Sequence, residues 1–383
     1  MFPEPLRPLG YQHRHDQAFQ KALNMAAKHY LQQRADHRFA DLRFYLKSLV
    51  LILCCLGSYG IALCANTSWA FFIFYPLFIC FALLLAINLV HDASHNAIFK
   101  QAKANYWLNF WVTIPLGLEP ECWRVRHIIF HHAHTNIRHY DLDIEENFVL
   151  RQTPYQRWYP FMRAQHLYWP LIAAMTFPAL IWFFDWMDRF HLTRVAPHMR
   201  HQGRRGIGAF LLAKLLHLIV AIVIPAFVIT DISLATLLLT YLFSQMLASL
   251  IFVVLILGTH WAKATFYTPP KEGNMPHGFY THTFSTTYDW QTTPRWLTYW
   301  LGGLNLHLTH HLFPNWNHRH YPALAKIIEQ TAKQFSMDYH CISAKELFIY
   351  QQKFLKEMGK GKQADEHWAK HPSAYFAILI IYR

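Results

Sequence analysis

The feature that most constrains this chain is its apolar segmentation. Residues 48–65, 69–90, 207–228 and 234–257 are each almost continuously apolar. Each is close to the roughly 20 residues that a helix needs to cross a hydrocarbon layer. Backbone N–H and C=O groups find no water in lipid, so a spanning segment must satisfy them within itself, as a helix. The fold class expected is therefore an all-α integral membrane protein with four transmembrane helices. Hydrophobic residues make up 54% of the 383, and no composition shift or Gly/Ser linker divides the chain. The links 66–68 and 229–233 hold no Lys or Arg, whereas the other loops and both ends carry several. This bias places both termini in the cytoplasm.

The polar segments beyond the spans are dense in histidine. Three groups share one spacing: HDASH from His91 to His95, HIIFHH from His127 to His132, and HLTHH from His307 to His311. Helical residues four apart lie on one face, so His91/His95, His127/His131 and His307/His311 can each aim two imidazoles one way, with His132 and His310 widening the fan. Eight imidazoles are too many for one zinc, which four ligands satisfy. Two metals fit better. All-imidazole ligation suits iron, copper or zinc, and the ligand set alone does not choose among them. In a chain with 27 histidines any single one is ordinarily a surface or capped side chain. Three like groups, each just past an apolar run, instead point to one shared site.

A shared site requires all three groups on one side of the membrane. Two spans return the chain to its starting side at His91, and two more return it after 257. The groups therefore meet only if the remaining apolar stretch, YWPLIAAMTFPALIWFF at 168–184, lies in the interface or re-enters; it contains Pro170 and Pro178 and is closed by Asp185. Residues 105–118 form a second interfacial helix candidate. Residues 16–46 show a helical stripe of Phe19, Leu23, Ala26 and Tyr30 with Asp16 as N-cap and Lys21, Lys28 and Arg34 opposite, on the bilayer surface or packed on the core. Lys214 lies near the cytoplasmic end of its span, within reach of snorkelling. The resulting division is a cytosolic amphipathic region at 1–47, a membrane domain at 48–325 and a cytosolic tail at 326–383. The opening MFPEPLRPLGYQHRHD is polar and reads as no secretory signal. At the other end, AYFAILIIYR at 374–383 is too short to span as a helix.

The strings HDASHNAIF, WRVRHIIFHHAHTNIRHYDLDI and GGLNLHLTHHLFP followed by HYPAL, in this order from about Val90 to Ala325, resemble the three boxes of the membrane fatty-acid desaturases. The resemblance is nearest to the bacterial and front-end branch without a fused cytochrome b5 domain, and it implies a bacterial inner membrane. Front-end enzymes usually carry Gln at the first position of the third box. His307 stands there instead, which argues against front-end regioselectivity. The resemblance adds a ninth imidazole, His260 in ILGTHW. It implies one iron held by His91, His132, His260, His307 and His311, and another held by His95, His127, His131 and His310. Asp92, Asn136, Asp141 and Asp143 are expected to hold ring N–H groups. His134, His139, His166, His282, His318 and His320 fall outside the spacing and read as surface or hydrogen-bonded residues.

Removing hydrogens from two unactivated methylenes needs an oxidant stronger than any side chain, so the metal must activate O2; the resemblance implies that the metal is two iron ions and that the substrate is an acyl lipid or acyl thioester. Two electrons must also arrive. The sequence has no HPGG haem string, and Cys54, Cys55, Cys64, Cys80, Cys122 and Cys341 form no CxxC pair. By resemblance the donor is a separate ferredoxin or cytochrome b5 with its reductase. A hydrophobic channel beneath the centre is expected, with Trp123, Arg124 and Arg126 near its mouth. The net charge of +13 suits anionic headgroups and an acidic redox partner. A di-iron hydroxylase or ketolase would share the boxes and insert oxygen. A transporter is disfavoured because the histidines lie outside the spans, a zinc hydrolase because there is no HExxH, and nucleic-acid binding because the basic residues track the membrane topology.

Overall fold

The computed structural model describes residues 6–361, apart from 66, 257, 262, 263 and 272; the segment 374–383 lies outside the described residues. Four helices are long and apolar enough to cross a membrane: α2 (Leu42–Leu63), α3 (Ser68–Ser94), α8 (Gly203–Val228) and one that begins with α9 (Leu234–Ile256) and continues to Trp261. Three of the starts are capped, that of α9 by Ser233, whose Oγ accepts from Thr236 N at 3.1 Å. Asp41 accepts from Phe44 N at 2.9 Å ahead of α2, and Thr67 accepts from Ala70 N at 3.2 Å ahead of α3. α2 and α3 pack together, and α9 lies against α3 and α6 (Pro160–Ala174). The inward faces carry small or hydroxyl side chains, such as Ser58 and Ala62 on α2 and Ser244, Ala248 and Ser249 on α9. Such residues let helices approach closely where lipid outside is as apolar as the packing partner. Outward, Leu46, Leu49, Val50, Leu53 and Leu56 of α2 are exposed along one stripe, an apolar face of the kind that meets lipid.

Between the second and third spans lie α4 (Ala102–Val112), α5 (120–132), α6 and α7 (Thr176–Arg189). α6 and α7 are bent by 54° at a short break, so the stretch at 168–184 is not one straight rod. The expected snorkelling of Lys214 does not occur. Its ammonium is 6% exposed and donates to Asp185 Oδ2 at 2.7 Å, Gly117 O at 2.8 Å and Ile181 O at 2.8 Å, because a buried carboxylate on α7 offers a nearer partner than the interface.

The remaining elements pack over the histidine end of the bundle. They are α1 (His13–Gln33), α10 (Gly258–Trp261), α11 (Phe279–Thr286), α12 (His307–Leu312), α13 (Tyr321–Gln334) and α14 (Ala344–Met358). α1 buries Phe19, Leu23 and Ala27 against Phe284, Leu324 and Ile328, so it packs on the core, with Ala27 buried in place of the expected Ala26 and with Ala26 and Tyr30 half-buried. Asp16 does not cap it: Gln12 holds that position, and the Asp16 carboxylate instead accepts from Thr281 N at 3.0 Å and Thr281 Oγ1 at 2.6 Å. Two short parallel pairs clip distant segments together. They are β1 (Gly10–Tyr11) with β2 (Asn274–Met275), and β3 (Asp289–Gln291) with β4 (Cys341–Ser343).

Candidate metal centre

Nine imidazoles converge between the end of α3, α5, α10 and α12. One nitrogen each from His91, His95, His127 and His310 lie within 4.8 Å of one another, and so do one each from His131, His260, His307 and His311. His132 completes the first group, its Nε2 lying 3.1 Å from His127 Nε2 and 2.8 Å from His310 Nε2. Its ring also stacks on His311 with centroids 4.1 Å apart, so the two groups adjoin. The division implied by the resemblance differs: His91 and His132 sit with His95, His127 and His310, and His131 sits with His260, His307 and His311.

The reason lies in the backbone. Residues 86–90 and 125–132 are wound as π-helix, in which each N–H bonds to the carbonyl five residues back and which recurs at functional sites. His127 therefore meets His132, five residues on, while His131 is turned toward the other group.

The centre fits metal ions by its donors. Burial, reinforced by neighbouring imidazoles, pulls His95 down to about 3 and holds His127, His132, His307, His310 and His311 well below the ordinary imidazole range, so their lone pairs stay free. His91 Nε2, His95 Nε2 and His311 Nε2 are buried without a hydrogen-bond partner. His260 Nδ1 faces the Thr286 carbonyl at 3.1 Å, so the proton sits there and Nε2 is a bare acceptor; yet His307 Nε2 lies 2.9 Å from it. Bonds of about 2.0–2.1 Å to one ion at right angles bring two ligand nitrogens to about 3 Å apart.

Outer partners orient the rings. His131 Nδ1 donates to Asp141 at 3.2 Å and lies 3.2 Å from Asp143 Oδ2. Burial pulls His131 down, but these carboxylates outweigh it and raise the group to about 9. His310 Nδ1 lies 2.9 Å from Tyr321 Oη, and His91 Nδ1 lies 3.4 Å from Asp92 Oδ1. Asn136 works through the backbone: its side-chain nitrogen donates to His260 O at 3.0 Å and Thr265 O at 3.2 Å, while Asp141 Oδ2 accepts from Asn136 N at 2.8 Å. Such outer groups fix tautomer and aim.

Trp123 lines the centre, its ring stacked on His127 at 4.5 Å. Arg124 and Arg126 are held by carboxylates, Arg124 by Glu121 at 2.7 Å and Arg126 by both oxygens of Asp188 at 2.6 and 2.7 Å. Of the histidines outside the spacing, His282 is buried with Nε2 2.8 Å from Thr135 O, and His320 lies against Tyr30 and His37. His318 is buried between Lys47 and Asp92. Sequence reasoning did not reach Tyr321, Thr286 or Lys47. Tyr321 stands inside the quoted HYPAL, the one signal that could have found it.

A sequence model of the family described as fatty acid desaturase matches residues 67–343. The chain is 27% identical over 363 residues to an sn-1 linoleoyl-lipid 6-desaturase of Synechocystis sp., covering 89% of this chain and 96% of that one. An enzyme of the same description from Arthrospira platensis is 23% identical over 355 residues, covering 84% and 87%. An acyl-lipid (8-3)-desaturase of Physcomitrium patens is 27% identical over 299 residues, 77% of this chain and 62% of that longer protein. These likenesses are consistent with the front-end-like branch, despite His307.

Proposed function

This chain belongs to the fatty acid desaturase family, and from that premise we propose that it is a membrane desaturase of acyl lipids whose nine converging imidazoles hold two irons. The observation that carries this reading is the pair of four-histidine groups, each with the donors and outer acceptors of a ligand set. His91, His95, His127, His132 and His310 would hold one ion and His131, His260, His307 and His311 the other. When bound, the irons supply the O2-activating oxidant that unactivated methylenes require.

The protein's own part is to hold and exclude. Asp141, Asp92, Tyr321 and the Thr286 carbonyl keep the rings aimed, and Asn136 fixes the backbone that carries His260. The cap formed by α1, α11 and α13 covers the centre and limits water. The relatives named above are linoleoyl-lipid or acyl-lipid desaturases by description, and we assign the same acyl-lipid class to this chain. Trp123 is the candidate contact for the substrate, with Arg126 tying its helix to Asp188 of α7 and Arg124 reaching His198 O at 3.4 Å. Electrons come from a separate ferredoxin or cytochrome b5 type of donor.

We place both termini and all three boxes in the cytoplasm, with 48–325 as the membrane unit and 1–47 and 326–383 as cytosolic flanks. The convergence of boxes lying before and after 160–189 supports an α6–α7 that lies in the interface or re-enters. Crossing there would put the third box on the far side from the first two.

The test is lipid mass spectrometry of cells expressing the chain with a donor present, alongside iron analysis of the purified protein. The expected product is lighter by two hydrogens, with about two irons per chain, both depleted in a His131→Ala/His310→Ala variant because the residues belong to different groups. A product heavier by one oxygen would instead indicate a hydroxylase, and absence of any new lipid with iron bound and donor active would overturn the proposal.

A further inference from the structure

A line of buried polar side chains runs from α2 to the centre. Lys47, only 3% exposed, donates to Tyr299 O at 2.9 Å, and its Nζ lies 2.6 Å from His318 Nε2. An ammonium can only donate, so His318 Nε2 accepts and the ring proton sits on Nδ1, 2.9 Å from Asp92 Oδ2. That oxygen also accepts from the Asn317 amide at 2.8 Å and from His318 N at 3.0 Å. The other oxygen of Asp92 faces His91 Nδ1 at 3.4 Å, on the side of the ring away from the unpartnered Nε2. Phe44 packs against the His318 ring at 5.3 Å, and the Tyr299 ring lies 4.5 Å from the ammonium, so the line is enclosed by aromatic surface.

A lysine within a spanning helix is costly unless something there needs its charge. Asp92, 1% exposed, is a buried carboxylate with no direct Lys or Arg contact among the described residues. Lys47 reaches it through one intervening imidazole. A buried charge stripped of its compensating partner is strongly destabilised, and it relieves that cost by rotating away, which removes the acceptor that orients His91.

We propose that Lys47 and His318 are positioning residues for the metal ligand His91: Lys47 fixes the His318 tautomer, and His318 in turn holds Asp92 against the His91 ring. The proposal rests on His91 being a ligand, as read above. It assigns a metal-centre role to a lysine on a spanning helix some 44 positions upstream of that ligand, the difference between 91 and 47.

The test uses purified full-length protein loaded with iron and follows the rate of metal loss to a chelator, together with the thermal midpoint of the metal-free form. In Lys47→Met one of the two irons should leave about tenfold faster or more, the effect typical of losing an outer partner of a ligand, while Lys47→Arg restores retention toward wild type. Because Lys47 acts through Asp92, a Lys47→Met/Asp92→Asn protein should lose iron no faster than Asp92→Asn alone. Wild-type retention in Lys47→Met, or losses that multiply in the double variant, would overturn the proposal. His318→Asn enters the same line independently, so wild-type retention there overturns it even if Lys47→Met does not fold. Wild-type protein that binds no iron overturns the reading of the centre, and the proposal with it. Iron-replete wild type with unaffected variants overturns the proposal alone.

Discussion

Asn136 sits at φ +58°, in the left-handed region that asparagine tolerates better than alanine. Its amide ties the His260 carbonyl to the loop at Thr265. Asn136→Ala gives up two buried hydrogen bonds and adds backbone strain, together about 2–4 kcal/mol. The expected outcome is a lower thermal midpoint in the metal-free protein and faster iron loss, with Asn136→Gly falling between because it relieves only the strain. Asp289 shows the opposite kind of dependence. It accepts from Thr309 N, Thr309 Oγ1 and Tyr339 Oη, yet burial outweighs these donors and lifts it from 3.8 to about 6. A carboxyl that holds its proton more tightly folded than unfolded adds stability at acid pH and loses it as pH rises from about 4 through 6. The wild-type protein should lose up to about 3 kcal/mol across that window, and Asp289→Asn should flatten the slope in chemical denaturation. The imidazoles were legible because their type and spacing are a local pattern. Asp289, Tyr321 and Lys47 were not, since nothing near them in the chain names the partners that folding brings to them.

The elements show where local pattern stops being sufficient. An apolar run declares a helix, and the spans fall within a few residues of where hydropathy puts them; α2 starts earlier than 48, at Leu42, because Asp41 supplies a cap ahead of the apolar run. An apolar run does not declare its winding. Residues 125–132 are π-helical, so an α-helical count of four pairs His127 with His131 where the structure pairs it with His132. The tie between α7 and α8 was hidden for a related reason: Asp185 and Lys214 read separately as a segment end and a snorkelling base. Lys214→Met leaves Asp185 buried without its cation, at a cost of about 3–5 kcal/mol. Adding Asp185→Asn removes the stranded charge and keeps an acceptor for Glu119 N, which now bonds Asp185 Oδ2 at 2.9 Å. The double variant should therefore melt above the single one, a rescue that a simple packing defect would not give.

At the scale of the whole molecule the decisive quantity is parity, the number of crossings between one box and the next. Charge bias and the convergence of the three boxes both call for an even number, which α6 and α7 satisfy only by lying in the interface or re-entering. The chain carries its own probes for this. Cys64 is exposed at the link between α2 and α3, and Cys341 is exposed on β4 beside the cap. With four crossings the two thiols lie on opposite faces; with five, a chain that crosses at 160–189 brings Cys341 to the same face as Cys64. Variants retaining one of these cysteines, with the other five replaced, can be labelled with a membrane-impermeant maleimide in intact cells and in inverted vesicles. Cys64 should react from outside and Cys341 only in the inverted vesicles. Labelling of both from outside would mean that the bent pair crosses, and since the boxes could not then face one compartment, the shared metal centre would fall with the topology.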